Sequence, residues 1–162
     1  MRTELARLEP STVSVRLTRA VAEDLPALVA LLADDPLGAG RERADGDLSP
    51  YRRAFDAIDA DPHQLLVSAL DDTRVVGTLQ LTFIPGLSRS GATRAQIEAV
   101  RVHADYRSKG LGAALFRWAI GEARARGCAL VQLTTDTSRS DAHRFYERLG
   151  FVASHKGYKL QL

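Results

Sequence analysis

Several residue types that would simplify a functional reading are scarce or absent. Cys128 is the only cysteine, so neither an intramolecular disulfide nor a cysteine-based zinc set can be assembled. A lone thiol near a helix end reads as a small apolar residue. The four histidines stand at 63, 103, 143 and 155, and no two share a metal-pair spacing, so no metal is expected. Charge of one sign is missing too: 22 basic residues face 20 acidic ones, a net +2. The basic residues are scattered and lack the interleaved aromatics of a single-strand binder, so no nucleic-acid partner is expected. No apolar run approaches the ~20 residues of a membrane span, and the N-terminus has no apolar signal core. The expectation is a cytoplasmic protein without a membrane partner.

What remains is ordinary globular composition over 162 residues, which suits one domain spanning 1–162 with 1–10 as a flexible lead-in. Val13 to Leu17 alternates as a strand. Asp24 is placed to cap a helix with Pro26 in its first turn and Leu25, Leu28, Val29, Leu31 and Leu32 on its buried face. Asp34-Asp35-Pro36 ends it. A glycine-containing loop follows, over 36–49. Ser49 is a second candidate cap, with Pro50 opening a helix to about Ala60. Gln64 to Leu70 and Arg74 to Ile84 form a hairpin, and Gly77 within it marks a bulge or a close backbone approach. Pro85 to Thr93 reads as a flexible loop. Then come strand 96–103, helix 110–126, strand 130–135, helix 141–149 and a last strand from Phe151 to about Leu160. The order β-α-α-β-β-β-α-β-α-β predicts an α/β fold, a mixed sheet with helices on its faces.

The most informative stretch joins strand 96–103 to helix 110–126 through Arg107-Ser108-Lys109-Gly110-Leu111-Gly112. Two glycines and two cations at a helix N-terminus suit a phosphate group, because the first N–H groups of the helix lack partners and its dipole favours an anion. A P-loop needs Lys followed by Ser or Thr after the last glycine; here Lys109 precedes Gly110. A dinucleotide fingerprint needs a third glycine, and Leu115 stands in its place.

The pattern Arg-x-x-Gly-x-Gly, at 107–112, resembles that of the GNAT superfamily of N-acetyltransferases. A second motif agrees: Ala142-His143-Arg144-Phe145-Tyr146-Glu147-Arg148-Leu149-Gly150-Phe151 is similar to the family ending Ala-x-x-Phe-Tyr-x-x-x-Gly-Phe. The resemblance implies a mostly antiparallel sheet splayed near its middle, with helices on both faces. It implies acetyl-CoA as co-substrate. The pantetheine arm would pair with the backbone of Val100, Arg101 and Val102 as an added strand. The pyrophosphate would lie on Arg107, Ser108, Lys109, Gly110, Leu111, Gly112 and Ala113, with Ala142 and Phe145 lining the coenzyme from the second motif. The family often has Asn where this chain has Arg139, so the substitute for that contact is expected among Ser138, Ser140 and Arg139, with Arg139 placed to reach a phosphate. Family members are often dimers, which makes a homodimer an expectation from the resemblance alone.

Acetyl transfer to an amine requires a base for the ammonium, donors for the thioester oxygen and an acid for the departing thiolate. Glu98 is the candidate base: it interrupts an apolar strand, where burial would raise a carboxylate pKa. Tyr146 matches the family position that protonates the thiolate. His103 and His143 read as surface or cap residues, and Trp118 as core. The acceptor side is expected between 34–50, with Asp34, Asp35, Asp45 and Asp47, and 84–94, with Arg89 and Arg94. The acidic set would attract a cationic amine and the basic set would hold a carboxylate. The expected function is an acetyl-CoA-dependent N-acetyltransferase acting by direct transfer on a primary amine of a small molecule or peptide. The alternative is a non-catalytic acyl-CoA-binding sensor domain of the same fold.

Overall fold

The computed structural model describes residues 2–34, 40–42 and 46–162. Asp35 and Asp45 of the expected acceptor loop lie outside the described residues. Six strands form one sheet in chain order: β1 Glu4–Leu8, β2 Val15–Arg19, β3 Gln64–Asp71, β4 Arg74–Ile84, β5 Arg94–Val102 and β6 Leu130–Gln132. All neighbours are antiparallel except β5 and β6. Four helices carry the packing: α1 Leu25–Ala33, α2 Ser49–Ala60, α4 Leu111–Ala125 and α5 Ser140–Arg148. Between β4 and β5 lies α3, a single turn at Ser88–Gly91 with left-handed φ values of 55° at Arg89 and 59° at Ser90.

Strand alternation sends the odd residues of β2 to β4 toward one face. There Leu17, Leu65, Val67, Leu79 and Leu81 are sealed against Leu111, Leu115 and Ala119 of α4. The other face is covered in part by α1 and α2, where Leu25, Leu28 and Phe55 pack around Ala20. The expected mixed sheet with helices on both faces is therefore present. Among the described residues no helix is long and apolar enough to cross a membrane.

Several local expectations need correction. The stretch expected as a flexible lead-in contains β1, because Leu5 and Leu8 pack on the core and the backbone pairs with β2. Asp24 occupies the N-cap position of α1 but makes no side-chain cap bond. A 3-10 turn precedes the helix, so Asp24 is already helical and its carboxylate turns back. It accepts from Arg2 at 2.6 Å, from Ser68 at 2.7 Å and from the Val21 backbone. Ser49 lies inside α2; Leu48 is the N-cap, and the carboxylate of Asp47 takes the Ser49 N–H at 2.9 Å. The strand expected at 130–135 is only Leu130–Gln132. The last strand is not formed: residues 151–162 have no regular structure. Gly77 satisfies both of its readings. The β3–β4 register shifts beside it, and a Cβ there would sit 3.2 Å from the carbonyl oxygen of Arg101.

Candidate active site

The site is built on β5. Thr78 pairs with Arg101 and Gln80 with Glu98, so Leu79 faces two residues, Ala99 and Val100. This is a bulge, and Ala99 has a left-handed φ of 52°. A bulge bends its strand and re-aims the side chains around it. On its other edge β5 meets β6 only from Arg94 to Gln96. Beyond Gln96 the two strands part, and the segment carrying Glu98, Val100, Arg101 and Val102 has a strand partner on one side alone. Some of its backbone is already engaged. The carbonyl of Val100 accepts from Nη1 of Arg101 at 2.9 Å, and that of Val102 from Nε of Arg107 at 3.2 Å.

The strand leads into the basic loop. Ser108 and Gly110 are both left-handed, at 62° and 79°, and bracket Lys109 in a tight entry to α4. Gly110 is the N-cap and offers no side chain to the helix. The first N–H groups, at Leu111, Gly112 and Ala113, therefore have no intrahelical acceptors. A Cβ on Gly112 would lie 3.9 Å from Val102 and 4.0 Å from Phe145. These are ordinary contacts, so packing does not demand glycine there; its effect is to keep room between the end of β5 and α5. The cations are held by the protein. Arg107 donates to the backbone oxygen of Asp34 at 2.9 Å and to its carboxylate at 2.7 Å. Lys109 Nζ sits 5.3 Å from the centre of the Tyr106 ring. Tyr106 in turn donates to Asp71, which raises its phenol above the ordinary range.

Glu98 is exposed, not buried. Strand alternation turns Ile97 into the α4 core and Glu98 to the α1/α2 face, so the burial expected to tune it is absent. On that face the register assembles polar rows that the sequence reading did not identify. Gln64, Thr82, Gln96 and Gln132 lie side by side across β3 to β6, with Gln80 and Glu98 in the next row. Gln64 accepts from Gln80 at 3.0 Å and from Thr82 at 2.9 Å, and Gln132 donates to Gln96 at 2.7 Å. Their signal was polar residues alternating with Leu79, Leu81, Phe83, Ala95 and Ile97, but only the register joins them.

Tyr146 lies on the opposite side of the sheet, half-buried with the α4 cluster. Its ring is held by Phe116 and Phe145 at 5.5 Å and by Phe151 at 6.2 Å. Phe145 also packs on Phe116 at 5.5 Å. These rings anchor α5, which has no fully buried residue of its own. Arg139 is the N-cap of α5, and Ala142 lies in its first turn. His143 Nε2 contacts the Asp136 backbone oxygen at 3.0 Å, tying the preceding loop to the helix. His103 is the N-cap of the 3-10 turn Ala104–Tyr106 and accepts from the Asp105 N–H at 3.2 Å. Both are thus cap or loop residues. Trp118 packs against the core, and burial pushes the Cys128 thiol up.

Residues 25–151 match the acetyltransferase (GNAT) family model. The chain belongs to the GNAT family. It is 32% identical over 139 residues to an aminoalkylphosphonate N-acetyltransferase of Salmonella typhimurium, with 86% of each chain covered. It is 38% identical over 89 residues to a glucosamine 6-phosphate N-acetyltransferase of Trypanosoma brucei brucei, covering 55% of this chain and 58% of that one. In structure it is similar to a transcriptional regulator from Bacillus halodurans C-125, at 47% identity and a TM-score of 0.87, covering 91% of this chain and 99% of the other. Acetyl transfer is the chemistry for which the two sequence relatives are named, and acetyl-CoA is the acetyl donor of the family. The splay of β5 from β6, the open first turn of α4 and the space at Gly112 suit a coenzyme with an extended arm and a pyrophosphate.

Proposed function

We propose that this GNAT chain is an N-acetyltransferase that moves an acetyl group directly from acetyl-CoA to the primary amine of a small molecule carrying a phosphonate or phosphate. The observation that carries the reading is the bulge at Ala99 and Val100, with β5 unpaired beyond Gln96 and running into an open helix N-terminus. Acetyl-CoA, when bound, supplies an activated thioester. Val100, Arg101 and Val102 hold its arm by backbone pairing, as an added strand. Ser108 to Ala113 take its phosphates on N–H groups, with Lys109 adding charge.

Glu98 and Tyr146 lie on opposite sides of β5, a division suited to the two proton movements. Glu98, exposed on the α1/α2 face, accepts the ammonium proton of the acceptor through water. A free amine is needed because an alkylammonium titrates near ~10.4. The Tyr146 hydroxyl, on the α4 side, donates to the departing thiolate. The rows from Gln64 to Gln132 offer neutral hydrogen-bonding groups beneath the acceptor. Arg94 and Arg89, at the entrance to β5, offer cations for its anionic end. Two of the relatives act, by name, on amines bearing a phosphonate or a phosphate.

The test is thiol release from acetyl-CoA over a panel of aminoalkylphosphonates, amino-sugar phosphates, amino acids and peptides. The phosphonates and phosphates should give the highest kcat/KM. Glu98→Gln should lower it about 100-fold or more, as expected for loss of a general base. Tyr146→Phe should lower kcat with little change in KM for the acceptor. The 47% identity to a transcriptional regulator favours a second reading, a non-catalytic acyl-CoA sensor. Tight coenzyme binding with equally slow thiol release from wild type and both variants would select it.

A further inference from the structure

The two cations of the glycine loop are held in different ways. Arg107 engages three acceptors on two elements. Its Nε donates to the Val102 carbonyl at 3.2 Å, at the end of β5. Its Nη2 donates to the Asp34 carbonyl at 2.9 Å and to the Asp34 carboxylate at 2.7 Å. Lys109 has no acidic partner among the described residues and lies against the Tyr106 ring. Asp34 is the C-cap of α1. A carboxylate there is a poor choice for the helix alone, because the dipole already places negative charge at that end. The last turn of α1 has no basic residue. Arg107 supplies, from the loop, the cation that α1 lacks.

The residues just before Arg107 are tied down as well. Arg74, at the start of β4, donates to Asp105 at 3.0 Å and contacts Nε2 of His103 at 2.9 Å. Tyr106 donates to Asp71 at the end of β3. Residues 103–107 are thus fastened to β3, β4 and α1 in turn, and Arg107 carries the tie to α1. The left-handed Ser108 and Gly110 then turn the chain into α4, with Lys109 between them. A planar guanidinium fork suits the bridging task, since it meets carboxylate and carbonyl oxygens together in one fixed plane.

We infer that Arg107 serves the coenzyme site as a positioning residue and not as a phosphate ligand. With Asp34 it clamps the loop to α1, and Lys109 is the side-chain cation that meets the pyrophosphate. The inference rests on the reading of 107–113 as the coenzyme loop. It also gives Asp34 a role opposite to its charge. A bare carboxylate near a phosphate site repels the ligand, but Asp34, engaged by Arg107, favours binding by fixing the loop. Asp34 stands first in the stretch 34–50 expected to meet the acceptor, so the clamp joins the coenzyme loop to the point where that stretch begins.

The experiment is calorimetric titration of the full chain with coenzyme A. Wild type is set beside Asp34→Ala, Arg107→Ala, Arg107→Lys and the double variant Asp34→Ala, Arg107→Ala. The urea midpoint of each should stay near that of wild type, because the ion pair is about half exposed on both sides and such pairs add little to stability. Asp34→Ala should weaken coenzyme A binding about three- to tenfold, the worth of one net hydrogen bond. A phosphate-binding Arg107 requires the opposite sign, since loss of the acid would release it to the ligand. Arg107→Ala should weaken binding to the same extent and the double variant no further, as for two residues acting through one contact. Arg107→Lys keeps the charge but not the fork, and should behave like Arg107→Ala. Tighter binding by Asp34→Ala, full affinity in Arg107→Lys, additive losses in the double variant, or a urea midpoint that falls in step with affinity would each overturn the inference and leave the coenzyme site standing. A wild-type chain that does not bind coenzyme A would remove the site and the inference together.

Discussion

The hairpin β3–β4 and the chain beyond β5 are built to different standards. In β3 and β4, Leu65, Val67, Ala69, Val76, Leu79 and Leu81 are all at most 1% exposed, and each of the two strands has a strand neighbour on both sides. From Glu98 onward the sheet opens, β6 keeps three residues, and α5 has no fully buried side chain. The closed region spends its surface on packing. The open one leaves β5 with a single strand partner beyond Gln96 and the first turn of α4 without a side-chain cap. In this fold stability and recognition are therefore carried by neighbouring but separate parts of one sheet, and substitutions should divide accordingly.

The largest loss is expected where the N-terminus is locked to the closed region. Asp24 is 2% exposed and is held by Arg2, Ser68 and the Val21 N–H. Burial works to raise its pKa, but those hydrogen bonds and the Arg2 charge outweigh it, and the carboxyl titrates below its ordinary value. Arg2→Ala leaves that charge buried without its partner and should cost about 3–5 kcal/mol in urea unfolding at pH 7. The sign with pH follows from the depressed value. The stabilisation is complete above the unfolded carboxyl range, near ~4, and is lost as pH falls through the folded one. Asp24→Asn should flatten the loss of stability below that range; an unchanged acid limb would show that Asp24 does not carry it.

Next in size is a paired test of packing. Leu65→Ala, in the closed hairpin, should cost about 2–5 kcal/mol. Leu133→Ala, half-buried beyond β6, should cost clearly less. Equal losses would erase the distinction between the regions.

The chain's own pattern made the closed region legible. Period-two alternation located β3 and β4, and helical spacing located α4, because each signal is local. The glycine loop was legible for the same reason. What escaped depends on distant partners. β1 has a mixed pattern, and its pairing with β2 makes it a strand. The segment after Phe151 reads as a strand, but it pairs with no edge of the sheet. Glu98 was expected to be buried because apolar neighbours suggest a covered strand, yet alternation gives the face and not whether a helix covers it. The rows from Gln64 to Gln132 combine registers of four strands, and no single window contains them.

Gly112 sharpens the comparison from the open side. Gly112→Ala places a methyl group in ordinary contact with Val102 and Phe145. Stability should hold or rise by up to about 1 kcal/mol, as for glycine replaced in a helix. If the space serves a coenzyme, KM for acetyl-CoA should rise about tenfold, equivalent to ~1.4 kcal/mol of binding. A variant that is more stable and binds coenzyme normally would remove Gly112 from the site.

The smallest expected effect falls on the hinge between the two regions. Ala99 is left-handed, a conformation that costs an L-residue about 1–2 kcal/mol, and it is fixed by pairing at Arg101 on one side and Glu98 on the other. Ala99→Gly relieves that cost but gives the unfolded chain more freedom, worth about 0.4–1 kcal/mol. The net gain should be a few tenths to about 1 kcal/mol, read from the urea midpoint. Ala99→Val should go the other way, because a β-branched side chain resists positive φ more strongly. A valine that flattens the bulge would let β5 pair further along β6 and close the splay. Coenzyme affinity should then fall together with stability, whereas the glycine should raise stability and leave affinity in place. If valine lowers stability while coenzyme binding is untouched, the bulge belongs to the closed sheet and is not what opens the site.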